Sequence, residues 1–155
     1  MKTAQTKFFR GFTLIELLIV IAIMGILAAA VLVAINPLRR SQQARDASRK
    51  SDIGQYASAL QAYYVIPGNG LYPTNVSGAA DTALTGLTAS GSLKRLALDP
   101  KGNSYSYTSS GNVTPNESAV FATMEAPTAA TGWWCWRSSN GVATELTNTA
   151  LCTAP

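Results

Sequence analysis

The chain has 155 residues, 47% of them hydrophobic and 13% charged, with twelve Lys and Arg against eight acids, a net charge of +4 and no histidine. That length suits one domain with an appendage, and the charged share is about half the usual ~25%. Without histidine the commonest acid–base group at neutral pH and the commonest zinc ligand are missing. Two cysteines cannot make a four-thiolate metal site, so the composition argues against most enzymes and structural zinc sites.

Lys2, Lys7 and Arg10 precede a run from Phe12 to Ile35 in which Glu16 is the single charge. Arg39, Arg40, Arg45, Arg49 and Lys50 follow it, diluted by Asp46 and Asp52. Beyond Ile53 four basic residues (Lys94, Arg95, Lys101, Arg137) stand against five acidic ones (Asp81, Asp99, Glu117, Glu125, Glu145). This nearly neutral part has no basic patch of the kind that binds nucleic acid, and DNA is left as a partner the charge pattern does not support.

As a helix the Phe12–Ile35 run would be ~36 Å long, enough to cross a ~30 Å hydrocarbon core. A secretory signal peptide would explain the basic start and the small residues Ala28-Ala29-Ala30. It does not explain Glu16, nor the apolar residues that continue through Val31–Ile35. A plain membrane anchor explains the length but leaves a carboxylate four residues inside, unfavourable by roughly a few kcal/mol without a partner.

The segment Arg10-Gly11-Phe12-Thr13-Leu14-Ile15-Glu16-Leu17-Leu18-Ile19-Val20 closely resembles the class III signal of type IV prepilins and type II secretion pseudopilins. The resemblance implies cleavage between Gly11 and Phe12 by a membrane prepilin peptidase on the cytoplasmic side, then N-methylation of Phe12. It also implies that Glu16 pairs with the Phe12 amine of a neighbouring subunit in a homo-oligomeric helical filament. A buried carboxylate facing an ammonium is costly unless both are present, a physical reason for the pair to register one subunit against the next. Before assembly such a chain sits in membrane lipid, a single pass through the inner (cytoplasmic) membrane with its head outside the cytoplasm. An assembly platform in the membrane then passes it into the filament.

Gly25 matches a glycine common in pilin helices. Pro37 falls later than the proline those helices often carry, and removal of its amide donor predicts a kink near Val33–Asn36. From Leu38 to Tyr64 the helical pattern resumes, with Ala44, Ala47, Ile53, Ala57, Leu60 and Tyr64 forming one apolar stripe flanked by Tyr56 and Tyr63. A single helix from Phe12 to Tyr64 would be ~80 Å long. The basic cluster Arg39–Lys50 reads as a solvated or intersubunit-paired face, with anionic headgroups or DNA as the alternative.

Turn chemistry at Ile66-Pro67-Gly68-Asn69-Gly70 ends the helix. A Gly/Ser/Thr/Ala-rich stretch to Ser92 reads as surface loop with one short helix around Asp81–Leu87. Strand patterns follow at Asn103–Thr108, Ala119–Glu125, Trp133–Ser138 and Val142–Leu146, the last two flanking Asn140-Gly141, the strongest short hairpin signal. Three or four antiparallel strands are expected, one face covered by the Ile53–Tyr64 stripe.

The segment Leu96–Tyr105 around Asp99-Pro100-Lys101-Gly102 resembles the loop before the first strand of pseudopilins, which commonly carry an aromatic residue where Lys101 stands. Major pseudopilins also bind calcium with acids of a late loop. Here Glu117, Glu125 and Glu145 are scattered, so no metal and no cofactor is expected. Cys135 and Cys152 would form a disulfide in an oxidising compartment, with two buried thiols as the alternative. A bridge there resembles the C-terminal disulfide of type IV pilins, which major pseudopilins typically lack, and on that ground the pilin branch is preferred. Alternation puts Trp134 and Trp136 on one face and Trp133, Cys135 and Arg137 on the other, with Trp133 the exposed candidate for ligand contact. Asn75, Asn112 and Asn116 begin N-glycosylation acceptor patterns.

The expected fold class is α+β: a long N-terminal helix, membrane-spanning in its first half, packed on a small antiparallel head. The expected parts are a leader (1–11), a hydrophobic transmembrane or filament-core helix (12–37), an amphipathic half-helix (38–66) and a globular head (67–155). The preferred function is structural: a subunit of an extracellular type IV pilus. The alternatives are a type II secretion pseudopilin or an anchored binding domain that never polymerises. No nucleophile–base set is present, and an enzyme is not expected.

Overall fold

The computed structural model describes residues 11–74, 80–111, 114–128 and 132–152, and of residues 80–82 the backbone alone. The leader residues Lys2, Lys7 and Arg10 and the acceptor patterns at Asn75 and Asn112 lie outside the described residues. The chain forms two units, Met1–Arg40 and Ser41–Pro155.

Helix α1, Leu14–Ile35, buries none of its residues. Apolar side chains surround its whole circumference: Leu14 is 82% and Val33 84% exposed, with Ile21, Leu27 and Leu32 between them also exposed. A helix apolar all round has no single face to lay on a core and needs apolar surroundings on every side. Its length, ~33 Å by rise per residue, matches a bilayer core.

Asn36 ends α1 in a left-handed conformation, φ 47° and ψ 77°. The Asn36 side chain then accepts the Arg39 amide at 3.2 Å, capping the start of α2, Pro37–Val65. Pro37 opens α2, where its missing donor costs nothing. The expected single ~80 Å helix is therefore two helices, broken at the end of the predicted window.

In the second unit, α2 shares a core with α3, Ala80–Ala89, and a four-stranded sheet. The strands are β1 (Ser106–Ser109), β2 (Ser118–Thr123), β3 (Trp133–Arg137) and β4 (Ala143–Leu146), antiparallel in the order β1-β2-β3-β4. Tyr107, Val120, Trp136 and Ala143 stand in one cross-strand row. With Ala122 they pack beneath Ile53, Tyr56, Ala57 and Leu60 of α2 and Leu84 and Leu87 of α3.

The stripe on α2 differs from the expected one. Ala44 and Ala47 are exposed, Tyr56 is core, and the charged Asp46 and Arg49 are buried instead. Periodicity in apolar residues is blind to charges that are buried because they find partners elsewhere in the chain.

At the end of α2 the Gly68 amide returns to the Tyr63 carbonyl at 2.7 Å, and a Cβ there would lie 2.0 Å from the Leu71 carbonyl oxygen. No other residue fits. The β3–β4 hairpin forms where predicted but turns more widely than a two-residue loop: β3 ends at Arg137, β4 starts at Ala143, and Gly141 alone in this loop takes a positive φ.

The opposite sheet face carries a smaller cluster of Ala119, Phe121, Cys135 and Cys152, with Trp133 and Leu146 against it. A disulfide joins Cys135 of β3 to Cys152 in the 3-10 turn Thr149–Cys152, with the Cα atoms 5.9 Å apart. The alternation of the tryptophans holds. Trp133, however, is half-buried edge-on to Phe121, with centroids 5.8 Å apart, rather than the exposed member.

Candidate assembly site

Gly11 and Phe12 stand just before α1, and Phe12 is 79% exposed. Thr13 is the N-cap of the helix, with the extended backbone that position requires. Its hydroxyl accepts the Glu16 amide at 3.3 Å, and the Glu16 carboxylate accepts from the Thr13 amide at 2.9 Å and the Thr13 hydroxyl at 2.6 Å. This is a complete capping box, satisfying donors that the first turn of any helix leaves open.

The carboxylate that looked partnerless in the sequence therefore has an internal partner while the chain stands alone. The signal was available: Thr13-Leu14-Ile15-Glu16 before an apolar run is the capping-box pattern. The same hydrogen bonds hold the carboxylate beside the Phe12–Thr13 peptide, the end of the chain that cleavage after Gly11 would turn into a free amine.

The head holds a second arrangement that charge spacing did not reveal. Arg49, 3% exposed, sits among three carboxylates. It donates to Asp99 through Nε and, at 3.1 Å, through Nη2, and to Asp46 at 2.8 Å, and it forms an ion pair with Glu125 at 2.9 Å. Arg45 grips Glu125 with a two-pronged contact at 2.8 and 2.7 Å, and Lys101 reaches the same carboxylate at 2.8 Å. Asp46 also accepts the backbone amides of Glu125 and Ala126.

Three cations and three anions thus fasten α2 to the Asp99 turn and to the chain leaving β2. Asp99 fixes its own turn by accepting the Lys101 amide at 2.8 Å. The Arg49 guanidinium holds the Asp99 carboxyl below its ordinary range, and Arg45, with help from Lys101 and Arg49, does so for Glu125. Burial pushes the Tyr105 and Tyr107 hydroxyls above theirs, and Tyr105 donates to Asp52 while Tyr107 donates to the Pro73 carbonyl.

The basic cluster is therefore not one solvated face. Arg45 and Arg49 are spent inside the head, and Lys50 lies 4.4 Å from the centre of the Trp134 ring. Among the described residues no group of three or more acid or cysteine side chains is placed to hold a metal. In the third acceptor pattern Asn116 is exposed while Ser118 is buried at 1% exposure.

Residues 7–32 match the prokaryotic N-terminal methylation motif. The type II secretion system core protein G of Pseudomonas aeruginosa is 39% identical over 113 residues, covering 68% of this chain and 77% of that protein. The chain belongs to the type IV pilin and type II secretion pseudopilin family. The core protein G of Vibrio cholerae is 36% identical, over 66% of this chain and 72% of that one, and that of Escherichia coli 38% identical, over 62% and 69%. No solved structure matches the chain. The apolar helix with its capped N-terminus, followed by a helix packed on an antiparallel sheet, is the pilin-like α+β architecture that the resemblance implied.

Proposed function

We propose that this pilin-family chain is a structural, non-enzymatic subunit of a type II secretion pseudopilus. The observation that carries the reading is the shared name of its relatives, core protein G of type II secretion systems, at 36 to 39% identity in the three cited. The cysteine pair had favoured an extracellular pilus. The bridge it forms still speaks for that second reading, but the relatives support the secretion alternative better.

In this account prepilin peptidase cuts after Gly11 and methylates Phe12. The subunit waits with α1 across the inner membrane and its head on the far side, until the assembly platform moves it into the filament. There the Phe12 ammonium of a neighbour takes the Glu16 carboxylate from its capping box, so the ion pair forms in apolar surroundings without leaving either charge alone. The apolar circumference of α1 suits both states, since lipid and packed helices are equally dry.

The test is deletion of the gene and complementation, reading secreted enzymes in the medium and surface pili by electron microscopy. The account expects secretion to fail in the deletion and in the Glu16→Leu complement, with pili unaffected. Loss of pili with normal secretion supports the pilus reading instead.

A further inference from the structure

Of the cations that follow the apolar helix, the head consumes Arg45 and Arg49 in ion pairs and engages Lys50 over Trp134. Arg39 and Arg40 differ: both are exposed, and neither guanidinium meets an acid among the described residues. The two acids of α2 are already committed, Asp46 to Arg49 and two backbone amides, Asp52 to the Tyr105 hydroxyl.

Their position is specific. They lie four and five residues past Ile35, the last residue of α1, and the Asn36 side chain caps the Arg39 amide, holding this stretch as a helical start. If α1 fills the ~30 Å hydrocarbon core, this stretch falls in the headgroup layer, ~5–7 Å deep on each side. Arginine there keeps its stem in the apolar layer and its fork among phosphates, which it binds in a two-pronged geometry.

We propose that Arg39 and Arg40 bind the phosphate of anionic phospholipid headgroups in the leaflet away from the leader, seating the subunit at a fixed depth before assembly. This rests on the membrane-spanning reading of α1. The two arginines act against the leader's Lys2, Lys7 and Arg10 in orientation, so their place on the far side fits a binding role rather than a topogenic one.

The experiment uses the full chain reconstituted in phosphatidylcholine vesicles doped with spin-labelled phosphatidylglycerol or spin-labelled phosphatidylcholine. Electron paramagnetic resonance then gives the preference of the protein for the anionic lipid. Resistance of the chain to alkaline carbonate extraction is scored in parallel, and a wild-type chain that is extracted overturns the spanning reading and the proposal with it.

In a chain that spans, Arg39→Gln/Arg40→Gln is expected to lower the preference by about twenty-fivefold, since each arginine near the surface contributes about fivefold. Arg39→Lys/Arg40→Lys should retain most of it, and raised salt should reduce the wild-type preference. The head variant Lys94→Gln/Arg95→Gln should leave it unchanged. A spanning chain whose preference is insensitive to Arg39→Gln/Arg40→Gln, or falls equally in the head variant, overturns the proposal.

Discussion

The two units of this chain invert each other. In the first, apolar side chains are exposed along all of α1 and the one acid is tied into a local cap; in the second, Asp46, Asp99 and Arg49 are buried, with the half-buried Glu125 against them. Exposed apolar surface without a preferred face means the surroundings are incomplete, and the missing part is bilayer or neighbouring helices. Buried charge means the opposite, because such groups remain ionised only where their partners are already present in the same molecule.

The inversion can be broken at either end. The largest effect is expected from Glu16→Leu, which in the proposed filament would leave the neighbour's Phe12 ammonium without a counter-ion. A penalty of ~3–5 kcal/mol per subunit contact corresponds to a loss of assembled filament of about a hundredfold or more. Chemical cross-linking of whole cells followed by quantitative immunoblotting should show the monomer undiminished and the cross-linked multimers gone.

Arg49→Ala comes next, destabilising the head by ~3–5 kcal/mol because the buried Asp46 and Asp99 carboxylates lose their shared cation. Arg49→Met, of similar bulk, should cost nearly as much, which denaturant unfolding of the detergent-solubilised chain can check. If charge loss were harmless and only bulk mattered, Met would restore stability. Removing the bridge with Cys135→Ser/Cys152→Ser is expected to cost ~2–4 kcal/mol, read in the same unfolding experiment, since the closed loop has a separation of 17 residues. Thr13→Ala is the smallest, ~1 kcal/mol, measured as fraying of the first turn of α1 by amide exchange.

Acid acts on the same ion cluster. The Asp99 and Glu125 carboxyls titrate lower in the folded head than in the unfolded chain. The stability they contribute is fully present above their unfolded values, about 3.9 and 4.3, and is lost as pH falls through and below that range. The buried tyrosines work with the opposite sign: Tyr105 and Tyr107 titrate higher when folded, so their contribution holds below about pH 10 and disappears at more alkaline pH. Urea midpoints across pH should trace both shoulders, and Arg49→Ala should flatten the acidic one.

Much of this was legible in the residues because local rules governed it. The Gly11–Glu16 signal is a contiguous motif, the apolar run reads by composition, and alternation, bounding prolines and the Asn140-Gly141 turn placed the four strands within a few residues. The cysteines marked their own bridge. What stayed hidden depended on distant partners: Asp46, Arg49, Asp99 and Glu125 are dispersed along the chain, and nothing near any one of them announces that folding converges them. Apolar spacing alone sets the stripe on α2 over Ala44 and Ala47, because it gives a charge no weight as a buried residue. The Glu16 cap is different, since Thr13-Leu14-Ile15-Glu16 carries its whole pattern within four contiguous residues.

The most direct test of the account is the intact mass and N-terminal sequence of the protein recovered from its own membranes, before and after reduction. The account predicts a chain beginning at Phe12 with one added methyl group and a gain of two hydrogens on reduction. A chain that keeps Met1, or one that begins after Ala30, would contradict it, because neither presents a Phe12 amine for Glu16 to receive.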